Sequence, residues 1–136
     1  MKEDPETLWD LVDRIRARDP RYRREAYGFV LHALGNAAQA LSPERRVDPI
    51  RRHLTGAELL ESVIALARSE FGALAPMVFG EWGLKSAADV GELVFQLVES
   101  GYLSARPEDR REDFHGPDLM RRLAGEPATG VSGASS

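Results

Sequence analysis

Two tetrapeptides, Thr55-Gly56-Ala57-Glu58 and Ser86-Ala87-Ala88-Asp89, decide how this chain folds. Each sets a hydroxyl residue three positions ahead of an acid, the spacing of a capping box. The hydroxyl accepts from the acid's amide, and the carboxylate accepts from the amide of the cap. Gly72, Gly83 and Gly101 fall where helix ends favour a left-handed residue. These marks predict a helix over 56–71, a shorter one over 74–82, a tight turn, and a helix over 87–100. Beyond them Tyr102-Leu103 reads as extended, and Arg106 to Asp113 as a β-turn between short strands or a loop.

Apolar spacing supports the same division. The first of these helices offers Leu60, Val63, Ile64, Ala67 and Phe71 to a core, and the second Leu74, Val78, Phe79 and Trp82. The third is apolar at Val90, Leu93, Val94, Phe95, Leu97 and Val98, wider than one stripe. Such a helix is either central in the core or lends its second face to a partner. The aromatic set Trp9, Phe29, Phe71, Phe79, Trp82, Phe95 and Tyr102 forms one cluster or divides between core and an exposed patch.

Upstream, Asp4-Pro5 has the form of a helix start, with Leu8, Leu11, Val12 and Ile15 in helical period and Trp9 beside them. That helix should end near Arg18, because a residue before proline avoids the α region. A second helix is expected over 23–41, with Tyr27, Val30, Leu31, Leu34, Ala38 and Leu41 at steps of three and four. Gly35 and Asn36 weaken it midway. Residues 42–53 read as a polar linker. The expected fold is therefore mainly α: one helical domain over 1–124, with an N-terminal helical pair at 5–41. It would pack against a winged-helix-like part at 55–114, a helix-turn-helix with a short β-hairpin. Residues 125–136, rich in Gly, Ser, Ala, Thr and Pro, read as a disordered tail.

The 136 residues are 43% hydrophobic and 29% charged, which fits one compact soluble domain. A net charge of −4 argues against wholesale attraction to polyanions. With no cysteine, disulfides, thiolate catalysis and Cys-based metal sites are excluded. No signal peptide is readable at the acidic N-terminus. No unbroken apolar run reaches the about eighteen residues that span a bilayer. A cytoplasmic protein is the expectation, with no membrane association.

The helix-turn-helix raises the question of nucleic acid. A recognition helix presents Arg, Lys, Asn or Gln to base edges. Between Ser86 and Leu103, however, stand Asp89, Glu92 and Glu99 and no base, so this helix would be repelled from a duplex. Basic residues gather elsewhere. Arg14 to Arg24 holds six arginines against Asp19, and Arg45, Arg46, Arg51 and Arg52 form a second group. Arg21, Arg23, Arg24 and that second group are the candidate binding residues for RNA or an acidic protein surface. The alternative is a solvated helix face paired with Asp10, Asp13 and Glu25. Catalytic signals are lacking. His32, His53 and His115 lie in separate segments without metal spacing, and neither a phosphate-cradling glycine loop nor a nucleophile elbow is present. No catalytic residue, cofactor or metal is expected.

The ordered series Tyr27-x-Phe29-Val30-Leu31-x-Ala33-Leu34, Arg52-His53-Leu54-Thr55-Gly56-x-Glu58-Leu59-Leu60-Glu61, Phe71-Gly72 and Trp82-Gly83 continues into a second half. That half is Asp89-Val90-Gly91-Glu92-Leu93-Val94-Phe95-x-Leu97-Val98-Glu99-x-Gly101 with Arg111-Glu112-Asp113-Phe114. Over about Tyr22 to Phe114 it resembles a family of small bacterial proteins of planctomycete and verrucomicrobial type, conserved and without assigned activity. The resemblance implies no catalytic residue and no cofactor. Similar proteins continue with an acidic-aromatic segment, whereas Pro117 to Arg122 here is mildly basic. Arg52-His53 and Arg111 to Phe114 look like signature positions on loops, where binding residues tend to lie. One reading makes Arg52, His53, Arg110 and Asp113 a polar docking site; the other tucks Phe114 into the core and has Asp113 cap a turn.

The sequence thus favours a non-enzymatic interaction or regulatory module whose partner is another protein. The alternative is a nucleic-acid-associated, RNA- or ribosome-linked protein using the arginine clusters. Oligomeric state is left open.

Overall fold

The computed structural model describes residues 7–49, 54–103 and 118–125. Among them the fold is mainly α, with no strand. Helix α1 spans Leu8–Arg18, α2 Arg24–Gln39, α3 Pro43–Arg46 and α4 Gly56–Phe71. A 3₁₀ turn, Gly72–Leu74, leads into α5, Ala75–Trp82; α6 is Ala87–Glu99 and α7 Leu119–Leu123.

The α4 helix sits at the centre. It packs most extensively on α2 and also meets α5, α6 and α7, while α1 lies on α2. Leu60, Val63, Ile64 and Ala67 are buried as its period predicts, Leu59 is buried beside them, and Phe71 is half-buried at the end. Both predicted capping boxes close. Thr55 Oγ1 accepts from the Glu58 amide at 3.0 Å, and Ser86 Oγ from the Asp89 amide at 3.3 Å. Gly83 and Gly101, both at φ +89°, end α5 and α6 in Schellman motifs. In these the Leu84 amide donates to the Phe79 carbonyl (2.9 Å) and the Tyr102 amide to the Leu97 carbonyl (3.0 Å). The Leu103 amide also turns back to Leu97, at 3.2 Å, so Tyr102-Leu103 continues the cap rather than an extended strand.

Four features depart from the sequence expectation. Helix α1 begins at Leu8, where Thr7 and Asp10 form a third capping box; Asp4-Pro5 lies outside the described residues. The buried stripe of α2 is Ala26, Tyr27, Val30 and Ala33, with Ala38 exposed and Leu34 and Leu41 half-buried. Small residues let α2 approach α4 closely, and Ser62 Oγ donates to the Ala33 carbonyl at 2.7 Å across that contact. The linker contains the short helix α3, capped by Ser42 and tied to α4 by a two-point Arg45–Glu58 ion pair. Helix α7 arises where the sequence shows only a mildly basic stretch. Leu119 and Leu123, one turn apart, are buried there, and Arg122 forks onto Glu61 at 2.7 Å.

Residues 104–117 lie outside the described set, so the hairpin expected near Arg106 to Asp113 does too, as does nearly all of the tail at 125–136. By length and composition the stretch Gly56–Trp82 is apolar enough to cross a bilayer. In the fold Gly72 (φ +54°) interrupts it, and its inner residues serve the core.

Two glycines give opposite predictions. A Cβ on Gly83 would stand 2.4 Å from the Arg21 carbonyl oxygen at a φ that L residues avoid. Gly83→Ala should lower unfolding stability by about 2 kcal/mol or more. Gly35, inside α2, has open space around its missing Cβ. Gly35→Ala should raise stability by about 0.5–1 kcal/mol. Urea unfolding of the two variants checks both signs.

Candidate functional site

The corner between α1 and α2 is pinned to α6. Asp19, in extended conformation at the end of α1, receives a two-point contact from the Arg21 guanidinium (2.9 and 2.7 Å) and a bond from Gln96 Nε2 (3.0 Å). The Tyr27 hydroxyl donates to the Gln96 carbonyl oxygen, so one amide bridges both. Tyr22, buried to 1% exposure, donates its hydroxyl to Asp89 Oδ1 at 3.0 Å. The other Asp89 oxygen accepts from the amides of Lys85 (2.9 Å) and Ser86 (3.1 Å). Arg16 Nε holds the Tyr22 carbonyl at 2.7 Å.

These contacts set the local electrostatics. Hydrogen bonds from Arg21 hold the Asp19 carboxyl below its ordinary range. Burial pushes the Tyr27 phenol up to about 12, and raises Tyr22 further with help from Asp89. Both phenols stay protonated near neutrality, so neither is poised as a base. The junction is a structural lock that engages Asp89 and Glu92, two of the acids on the would-be recognition helix, together with Gln96; Arg21 lies 3.7 Å from Glu92.

The candidate arginines are mostly matched with acids. Arg21 is on Asp19, Arg24 on Asp13 at 2.8 Å and over the Trp9 ring at 4.9 Å, and Arg23 is 4.0 Å from Glu81. Arg45 is held on Glu58, while Arg46 is exposed at the end of α3. Arg14 and Arg18 are exposed on α1. Of the remaining sequence candidates, Arg51, Arg52, His53, Arg110 and Asp113 lie outside the described residues, and the polar docking site with them.

A feature the sequence reading passed over lies on α5. Phe29, Phe71, Phe79 and Trp82 form a ring cluster with every described centroid separation between 5.4 and 5.7 Å. Phe79 is fully buried, whereas the other three are half-buried. Outward from them Leu74 is 57% and Met77 64% exposed. Leu74, Val78 and Trp82 recur every four residues, one face of the helix, and Met77 stands one turn from Leu74. Trp9, 41% exposed, lies instead on the α1–α2 contact, its ring standing where a Cβ on Gly28 would meet it. The aromatic set therefore divides: four rings cluster, and Trp9 sits separately beneath Arg24. The signal was present in the chain as a charge-free run from Phe71 to Gly80.

Helix α6 divides likewise. Val90, Leu93 and Leu97 are buried, while Val94, Phe95 and Val98 are half-buried. Two of the surface hollows lie wholly among the described residues, each with polar as well as apolar lining. One of 640 Å³ lies between the end of α2, α3 and α4, floored by Ala37, Ala40, Leu41 and Leu54. The other, of 450 Å³, runs along α1 over Leu11 and Ile15. No group of three His, Asp or Glu that could hold a metal occurs among the described residues, and His32 is exposed on α2. Compared with protein-family models, with curated proteins and with solved structures, the chain has no match.

Acid should act through Glu58. Hydrogen bonds from Arg45 hold its pKa at about 2, against 4.5 for an ordinary glutamate. A depressed folded-state pKa means the unfolded chain takes up the proton first. The contribution is therefore whole above pH 4.5 and drains away as pH falls toward 2. The urea midpoint should fall over that window, and Arg45→Ala should make the fall shallower.

Proposed function

We propose that the protein is a non-enzymatic interaction module that acts in the cytoplasm by binding protein through the outer face of α5. The observation that carries this reading is the exposure of Leu74 and Met77 beside the half-buried Phe71, Phe29 and Trp82. A contiguous apolar patch on a small domain marks a contact surface, and Trp and Arg are the residues that most often anchor one. Arg23 and Glu81, 4.0 Å apart beside Trp82, supply the kind of polar rim such surfaces have. On this reading α5, the turn at Gly83 and α6 are the helix-turn-helix of a winged-helix-like half, used as scaffold rather than as a DNA reader.

A second reading, association with RNA or the ribosome, draws support from the exposed Arg14, Arg18 and Arg46. Salt separates the two, because phosphate contacts release counterions and weaken steeply with ionic strength. Tagged protein incubated in native lysate and washed at high salt should retain a defined protein, and Met77→Glu should release it. Recovery instead of nucleic acid that is lost at high salt, and lost at low salt from a variant with the exposed Arg18 and Arg46 both changed to Ala, would reverse the choice.

A further inference from the structure

We propose that the groove between α4 and α5 beneath α7 is a docking site for a short amphipathic helix of another protein, and that α7 is the internal ligand that holds it closed.

The chain itself supplies the occupant from which the partner's chemistry follows. Leu119 and Leu123, one turn apart, are 2% and 1% exposed where α7 lies on α4 and α5, and Met120 packs beside them. Arg122, its side chain 13% exposed, forks onto Glu61 with both bonds at 2.7 Å. At the end of α7 a Cβ on Gly125 would stand 3.3 Å from Arg68 Nη2, so a base of α4 borders the last carbonyls. Apolar anchors one turn apart, edged by charge, are how a groove takes an amphipathic helix. The fitting helix therefore has leucine at i and i+4, an apolar residue at i+1 and arginine at i+3. Glu61 and Arg68 fix its direction along α4.

Several features leave α7 exchangeable. Its five residues are too few for a helix to persist alone in water. Its arginine is tied to a glutamate that is 60% exposed, where an ion pair contributes little. Both walls keep other supports when it departs: α4 packs on α2 and α6, and α5 packs on α2 and is held at Trp82 by the Arg23 amide. Docking in cis then rests on the high effective concentration of a tethered segment, against which a longer partner helix can compete. Leu74 and Met77 stay exposed with α7 in place, so this is a different surface from the α5 face proposed above.

The probe is a fluorescein-labelled peptide of residues 118–125, followed by anisotropy. The receptor is the full chain with Leu119→Ser and Leu123→Ser, which undocks its own α7. Binding should saturate with a dissociation constant at or below about 1 mM. Wild-type chain, in which α7 competes, should bind at least about tenfold more weakly. Adding Glu61→Arg to the receptor should weaken binding about threefold or more, and a peptide carrying Arg122→Glu should recover it. In the wild-type chain, hydrogen exchange should show α7 opening by itself. The Arg122 and Ala124 amides, each bonded at 3.1 Å within the helix, should exchange at least about tenfold faster than those of α4. Failure of the open receptor to bind the peptide, equal binding to wild type, or indifference to Glu61→Arg overturns the inference. So does unfolding of the double variant by circular dichroism, or α7 amides that exchange only together with those of α4, since either makes α7 part of the core.

Discussion

The contact on which this structure depends is the closure of the α1–α2 corner onto the turn between α5 and α6. It has a backbone part and a side-chain part. The missing Cβ of Gly83 lets the Arg21 carbonyl come within a distance no other residue would allow, and the Arg23 amide then reaches the Trp82 carbonyl. Beside it the buried Tyr22 phenol crosses to Asp89, which already caps α6. One carboxylate therefore ends up satisfying a helix start and a tertiary contact together. In a low-dielectric setting a partly satisfied carboxylate would be costly, and here both Asp89 oxygens have partners.

That closure distributes the surfaces. The polar side of α6 is turned toward the corner, which occupies Asp89, Glu92 and Gln96 and leaves few groups there to meet a ligand. The α5 helix is held by its end, through Phe79 below and Trp82 beside Phe29 and Phe71, so that its opposite side faces out. A helix of eight residues with one charged side chain is poorly suited to water unless something covers it. The functional reading follows from that mismatch between sequence and exposure.

Much of the helical frame was legible because it is marked locally. Hydroxyl-to-acid spacing at Thr55 and Ser86, and glycines at 72, 83 and 101, place α4, α5 and α6 to within a residue or so. What the chain concealed depends on partners far away in sequence. Helix α7 is five residues long and has little to recommend it alone; it exists because Leu119 and Leu123 find α4 and α5, and Arg122 finds Glu61. The α2 stripe is turned toward Ala26 and Ala33 because close approach to α4 favours small residues over the larger Leu34 and Leu41. Tyr22 gave no signal of burial, being enclosed by arginines in sequence but by Asp89 and Gly83 in space. The α5 face was missed because Leu74 was assigned to the core by its period, whereas the 3₁₀ turn carries it outward.

The most direct test of this account is residue-resolved amide hydrogen exchange on Tyr22→Phe, which removes the hydroxyl that reaches Asp89 while keeping the ring. If the corner holds α6, amides from Val90 to Leu93 and from Arg21 to Arg24 should lose about tenfold protection, more than those of α2 and α4. Equal loss in all helices, or none in α6, would show that the corner is not what holds the fold's second half in place.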